Sequence, residues 1–97
     1  MRDSYLKRAP NMAYRVLGGE AIVMDPSDSS LYSLNETATV IWQAADGTRT
    51  LREIVENDVC EQFDVEPEEA LREAETFLAG LAGHGVLLVS NEAGGAR

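Results

Sequence analysis

The stretch from residue 31 to residue 47 constrains the fold most, because its hydrophobic period changes from two to 3.6 at one residue, Asn35. Residues 31–34 have the pattern of a short strand. The Asn35 side chain can accept a hydrogen bond from an unpaired N–H in the first turn of the next helix. That helix is indicated by four residues at helical spacing: Ala38, Ile41, Trp42 and Ala45. Asp46-Gly47 is expected to end it. A strand joined so directly to a buried helix leaves little freedom in how sheet and helices meet.

Two more strands are predicted before this junction. Residues 13–17 and 20–24 flank Gly18-Gly19, a dipeptide suited to a tight hairpin turn. Residues 25–30 form a turn cluster of Asp, Pro and Ser. Together with residues 31–34, these segments predict a three-stranded antiparallel meander.

The second half of the chain is predicted to be helical. Thr50 and Glu53 have the spacing of a capping box, and Pro67 is suited to the first position of a later helix. The first of these two helices has an apolar stripe, with Cys60 beside it, made of Leu51, Ile54, Val55, Val59 and Phe63. The buried face of the second is predicted to hold Ala70, Ala74, Phe77, Leu78 and Leu81. Residues 86–89 read as a terminal strand, so the fold class is α+β and winged-helix-like: a three-stranded antiparallel meander, three helices and a short terminal strand.

The chain is long enough for one domain. We expect residues 1–12 to form a flexible N-terminal arm or a docking strand, residues 13–89 to form the folded domain, and residues 90–97 to be a disordered tail rich in Gly and Ala.

The net charge of −9 lies entirely in the second half of the chain. Residues 1–35 carry four basic and four acidic residues, whereas residues 36–97 carry four arginines and thirteen carboxylates. Such a surface repels phosphate, which argues against nucleic acid as a partner and favours a basic peptide or a basic enzyme surface. No stretch approaches the roughly 20 apolar residues of a membrane span, and no signal peptide is recognisable. We therefore expect a cytoplasmic protein that does not bind membranes.

No group of residues has the pattern of a catalytic site. His84 is the single histidine and lies between two glycines, so it is expected to be a helix-end or turn residue. Cys60 is the single cysteine and is expected to be an inert thiol beside an apolar stripe. The sequence therefore predicts no enzyme activity, no cofactor and no metal site.

The third strand of the predicted meander has one edge without a partner. Residues 31–34 contain no Pro, Lys or Arg that would protect this edge from pairing with another chain. Either the last helix covers the edge, or the edge accepts a strand from another molecule.

A compound pattern along the chain resembles a known family. The pattern runs from Leu31-Tyr-Ser-Leu-Asn-Glu-Thr-Ala through Ile41-Trp42, Asp46-Gly47 and residues 50–54 to Phe77-Leu78, Leu81 and Gly85. It is similar to the PqqD-like family, whose members are also called RiPP recognition elements (RiPP, ribosomally made and post-translationally modified peptide). The similarity covers about residues 10–90. The combined pattern is specific, although each piece alone is weak. One departure is Glu73-Ala74, where family members often have Asp-Val.

The resemblance implies a non-catalytic, winged-helix-like domain that binds the leader segment of a precursor peptide. It implies that the leader adds to the third strand as an antiparallel strand and is presented to a modifying enzyme, such as a radical SAM enzyme or a leader peptidase–cyclase pair. The pathway would make a peptide natural product, such as a lasso peptide, or a peptide-derived cofactor. Strand residues expected to bind the peptide are Ser30, Leu31, Tyr32, Ser33 and Leu34. Helix residues expected to do so from their spacing are Leu71, Arg72, Glu75 and Leu78.

Two alternatives remain open from the sequence. One is an acidic accessory subunit that binds a biosynthetic enzyme rather than a peptide. The other is a winged-helix DNA-binding regulator, which the order of elements alone suggests and the acidic last helix disfavours.

Overall fold

The computed structural model describes residues 1–92, and within them the chain forms two antiparallel three-stranded sheets packed around a set of helices. The strands are β1 (Tyr5–Arg8), β2 (Ala13–Leu17), β3 (Glu20–Asp25), β4 (Ser30–Leu34), β5 (Asp46–Thr50) and β6 (Leu87–Ser90). The helices are α1 (Glu36–Ala44), α2 (Leu51–Ile54), α3 (Cys60–Gln62) and α4 (Pro67–Gly83). A π-helical turn, Val55–Val59, joins α2 to α3, so residues 51–62 form one continuous helical segment.

The predicted meander is confirmed as the sheet β2-β3-β4. Gly18 and Gly19 both have positive φ, 61° and 84°, which a two-residue hairpin turn with the twist of its flanking strands requires. Ala21 pairs with Leu34, and Val23 pairs with Tyr32. Since Ala21, Val23 and Leu34 are buried, this face of the sheet packs on the core and the opposite face is exposed.

Helix α1 is fixed at the junction predicted from the sequence. Asn35 is its N-cap, and its side chain accepts a hydrogen bond of 2.8 Å from the Ala38 N–H. The buried Thr39 hydroxyl accepts one of 2.8 Å from the Ala21 N–H and donates one of 3.4 Å to the Leu34 carbonyl. These two bonds attach α1 to both β3 and β4. Trp42 is fully buried, as predicted for a core residue.

The second sheet, in the order β5-β1-β6, corrects two expectations. The N-terminal segment is not a flexible arm, because β1 lies between β5 and β6 and Leu6 is fully buried. Asp46-Gly47 does follow α1, but the chain continues as β5 before the next helix begins. Both strands depend on partners distant in sequence, for example Tyr5 with Ser90. Of the expected tail, Ser90 belongs to β6, and residues 93–97 lie outside the described residues.

The helical half follows the predicted signals. Thr50 and Glu53 form a reciprocal capping box at the start of α2, and Pro67 begins α4. The core combines both sheets with all the helical segments, and its largest fully buried side chains are Trp42, Leu6, Leu34, Ile41, Leu51, Ile54, Leu71, Leu78 and Leu87. One predicted core residue differs: Phe77 is 39% exposed. In the described part of the chain, no helix combines the length and apolar character needed to cross a membrane.

Candidate peptide-binding site

The outer edge of β4 is open. Within residues 1–92, β4 pairs with β3 on one side and with no strand on the other. Leu31 is 66% exposed and Ser33 is exposed, whereas Leu34 lies in the core. An unpaired edge presents backbone N–H and C=O groups that an added strand can bind. The predicted strand residues therefore lie together along one accessible edge.

A groove begins where β4 ends. Asn35, the residue that joins β4 to α1, lines it together with side chains of α1 and α4. The groove encloses about 80 Å³ and is largely apolar; the other lining residues are Thr37, Ala38, Ile41, Ala70, Glu73, Ala74, Phe77 and Leu78. Three of its nine lining residues, Asn35, Thr37 and Glu73, have polar side chains.

Helix α4 runs along the β4 edge in the direction opposite to the strand. Its first half, with Ala70 and Glu73, lies beside Asn35 at the end of β4. Its C-cap, His84, lies further toward the start of β4, with its ring centroid 5.8 Å from that of Tyr32 in the middle of the strand. The groove between α1 and α4 thus opens at the end of β4, and the C-terminal end of α4 lies beside Tyr32.

The turn before β4 is held by its own hydrogen bonds. The Ser30 N–H donates to the Asp28 carboxylate at 3.0 Å. This bond lowers the pKa of Asp28, and His84 adds a smaller effect in the same direction. The start of the candidate docking strand is therefore fixed by a charged side chain.

The helix side of the site differs from the residues predicted from spacing. Leu71 is 1% exposed and does not line the groove. Glu75 contacts the N-terminal segment instead: Arg2 Nη2 donates to its Oε1 at 2.7 Å, and the Arg2 backbone N–H donates to its Oε2 at 3.2 Å. These bonds hold the pKa of the Glu75 carboxyl below its usual range, with the Arg2 side chain as the main cause. Leu71 and Glu75 are thus on another side of α4.

The other two predicted helix residues have separate outcomes. Leu78 lines the base of the groove, although its side chain is almost completely buried. Arg72 is exposed on α4 and is not among the lining residues. Of the four predicted helix positions, the groove therefore includes Leu78.

Sequence reasoning missed Glu73 and Phe77 as groove residues. They are four positions apart on α4 and both line the groove, one helical turn from each other. The signal that pointed to them was present but ambiguous. Phe77 fitted the predicted core stripe, and Glu73 fitted a solvated face, because both lie at the margin between the two.

The described residues hold no arrangement for metal binding. Within residues 1–92, no three His, Cys, Asp or Glu side chains come together as a possible metal site. Cys60 is a half-buried free thiol. What this surface offers chemically is backbone hydrogen bonding along a strand, an apolar groove and one carboxylate within it.

The fold and this site together define a winged-helix-like α+β domain with an open strand edge beside an apolar groove. The chain belongs to the PqqD family: the family described as coenzyme PQQ synthesis protein D matches residues 20–87. This confirms the family that the sequence pattern indicated. No curated protein sequence matches the chain.

A solved structure has the same fold. TbiB1, determined in complex with the TbiA(beta) leader peptide, is similar with a TM-score of 0.71 and 20% sequence identity. The similarity covers 84% of this chain and 93% of that one. At this identity, the comparison establishes the shared fold.

Proposed function

We propose that this protein is a non-catalytic recognition element that binds the leader segment of a ribosomally made precursor peptide. The leader adds to β4 as an antiparallel strand and lies in the cleft beside α4. In this position it is held for a modifying enzyme, in the cytoplasm, during the synthesis of a peptide natural product or a peptide-derived cofactor.

The open edge of β4 next to an apolar groove is the observation that carries this proposal. Backbone hydrogen bonds to the edge would supply affinity for any extended segment, and the groove would select among side chains. Membership of the PqqD family supports the proposal. So does the shared fold with TbiB1, a protein determined with a leader peptide bound.

The expected affinity follows from the size of the contact. Four to six backbone hydrogen bonds at roughly 0.5–1.5 kcal/mol each add to two or three buried apolar side chains at roughly 1.5–3 kcal/mol each. Ordering a flexible leader offsets part of this gain. About 8–10 kcal/mol remains, a dissociation constant in the micromolar to sub-micromolar range.

The residues assigned to binding are revised accordingly. The strand contributes the backbone of Ser30, Leu31, Tyr32, Ser33 and Leu34. The helix contributes Glu73, Phe77 and Leu78 from the groove, in place of Leu71, Arg72 and Glu75.

The test is a titration with the leader half of the precursor encoded beside this gene, made as a synthetic peptide. Each backbone amide of the peptide is then methylated in turn. Because alternate residues of a strand direct their N–H groups toward one neighbour, methylation should weaken binding at every second residue and little at the others. No binding at tens of micromolar, or binding that is equally sensitive at all residues, contradicts strand addition.

Proline substitutions in the protein provide the matching experiment. Leu31→Pro and Tyr32→Pro each alter β4, and one of them removes an N–H that points to the open edge. Arg15→Pro and Val16→Pro make the same change in β2, the other outer strand of this sheet. The β4 variant that stays folded by circular dichroism should lose binding at least tenfold, whereas the folded β2 variant should retain it. Equal effects in both strands would contradict a site at β4.

A further inference from the structure

Of the four carboxylates of α4, two are paired within the chain, one (Glu69) is exposed outside the groove, and one lies in the groove. Glu68 and Glu75 are both bound by Arg2, with N–O distances of 2.9 and 2.7 Å. Glu73 lines the groove, and within residues 1–92 no basic group lies within ion-pair distance of it. A segment entering the cleft therefore meets one accessible negative charge among apolar side chains.

The direction of α4 fixes the order in which a bound strand would meet this charge. Helix α4 runs opposite to β4, as the positions of Asn35 and His84 show. A strand added antiparallel to β4 consequently runs in the same direction as α4. Its N-terminal part passes Glu73, and its following residues pass Phe77.

The spacing of these two side chains matches the repeat of a strand. Four residues along a helix correspond to about 6 Å at a rise of 1.5 Å per residue. Two residues along a strand correspond to about 6.8 Å, and side chains two apart point to the same face. Glu73 and Phe77 are thus positioned for residues n and n+2 of one extended segment.

We propose that the cleft selects leader peptides in which Lys or Arg stands two residues before a large apolar residue. The basic side chain pairs with the Glu73 carboxylate, and the apolar side chain packs on Phe77. This inference rests on the proposed function. It adds the pattern of residues that the site recognises and the direction of the peptide relative to α4. The peptide then leaves the cleft past Tyr32 and His84, so the segment to be modified emerges at the start of β4.

A selection from random peptides tests the sequence preference. A displayed library of random 12-residue peptides is selected against the wild-type protein and against Glu73→Lys. The wild-type pool should be enriched in a basic residue followed, two positions later, by an apolar one. The Glu73→Lys pool should contain an acidic residue at that first position. Glu61→Lys makes the same change of charge at an exposed position on α3 outside the groove, and it should leave the basic preference in place.

Binding constants give the size of the effect. Glu73→Gln should weaken a basic peptide about threefold to fivefold, as expected for a solvent-accessible ion pair, and this difference should shrink in high salt. Glu61→Gln should not change the affinity. An unchanged pool with Glu73→Lys, or enrichment with the apolar residue before the basic one, overturns the inference.

The two proposals can fail separately. Selected peptides that bind with alternating sensitivity to backbone methylation, but are indifferent to the charge at residue 73, overturn the sequence preference and leave strand addition standing. Peptides whose binding has no such alternation overturn the proposed function. A library without binders at tens of micromolar overturns both.

Discussion

The two flanks of α4 differ in what covers them. On one flank, Met1 and Arg2 lie against the helix, and Arg2 binds both Glu68 and Glu75. On the other flank, Glu73 and Phe77 border a groove that the described part of the chain leaves open. The carboxylates on one side of α4 are thus paired within the chain, whereas the other side is accessible.

The covered flank shows which chemistry suits this helix. A turn formed by residues 1–4, which contains one arginine, is held there by side-chain ion pairs and by a hydrogen bond from the Arg2 backbone N–H. The backbone of this segment is also hydrogen-bonded, because the Arg52 N–H donates to the Arg2 carbonyl at 2.8 Å. The groove offers a comparable carboxylate, and β4 offers the comparable backbone groups. A basic group is therefore the partner that the carboxylates on both flanks favour.

Leu71→Ala should have the largest effect, and the effect should be on stability. Leu71 is 1% exposed, and truncating a buried leucine costs about 2–5 kcal/mol through lost transfer energy and a residual cavity. Urea unfolding measures this loss. At low temperature, where the variant is still folded, its affinity for a leader peptide should be unchanged. A selective loss of binding with normal stability would instead place Leu71 in the peptide site.

Phe77→Ala should show the opposite behaviour. Phe77 is 39% exposed, so the loss of folding free energy should be only about 1–2 kcal/mol, whereas peptide affinity should fall about tenfold because the remaining apolar contact is made on binding. Val65→Ala is the control, since Val65 is similarly exposed, 41%, and does not line the groove. Equal affinities for Phe77→Ala and wild type would argue against the open flank as the binding side.

The contrast between Leu71 and Phe77 also indicates how much of the fold and of the candidate site could be predicted from the sequence. Signals confined to a few residues were sufficient for the meander, the Asn35 cap, the Thr50–Glu53 capping box and the start of α4 at Pro67. Each of these depends on contacts between near neighbours in the chain. Strand β5 was not predicted, and for residues 1–12 the sequence left an arm and a docking strand both open, because Tyr5 pairs with Ser90 and Thr50 and no local pattern encodes such partners.

The helix residues predicted from spacing differ from those that line the groove for a related reason. Periodicity identifies a buried stripe about 100° wide, but each of its two margins has an apolar residue beside a charged one, so the margins look alike in the sequence. Leu71 and Glu75 lie toward one margin, and Glu73 and Phe77 toward the other. What decides between them is the Arg2–Glu75 pair, which joins residues 73 positions apart. That contact is a product of the tertiary fold, so spacing alone could not select the margin that borders the groove.

The covered flank itself can be tested through the Glu75 carboxyl, with the smallest expected effect. Arg2 lowers the pKa of Glu75 from 4.5, so the pair stabilises the fold above that pH, and this contribution disappears as the pH falls through the lowered value. The chemical shift of the Arg2 Nε–H should accordingly titrate with a midpoint below 4.5. Glu75→Gln should abolish the titration and raise exchange of the Arg52 amide by about twofold to fivefold, the range for exposed ion pairs. Glu69→Gln, on the same helix but without a hydrogen bond to Arg2, should do neither. If Glu75→Gln instead weakened peptide binding as strongly as Phe77→Ala, the two flanks would not be separate, and the distinction between an occupied and an open side of α4 would be lost.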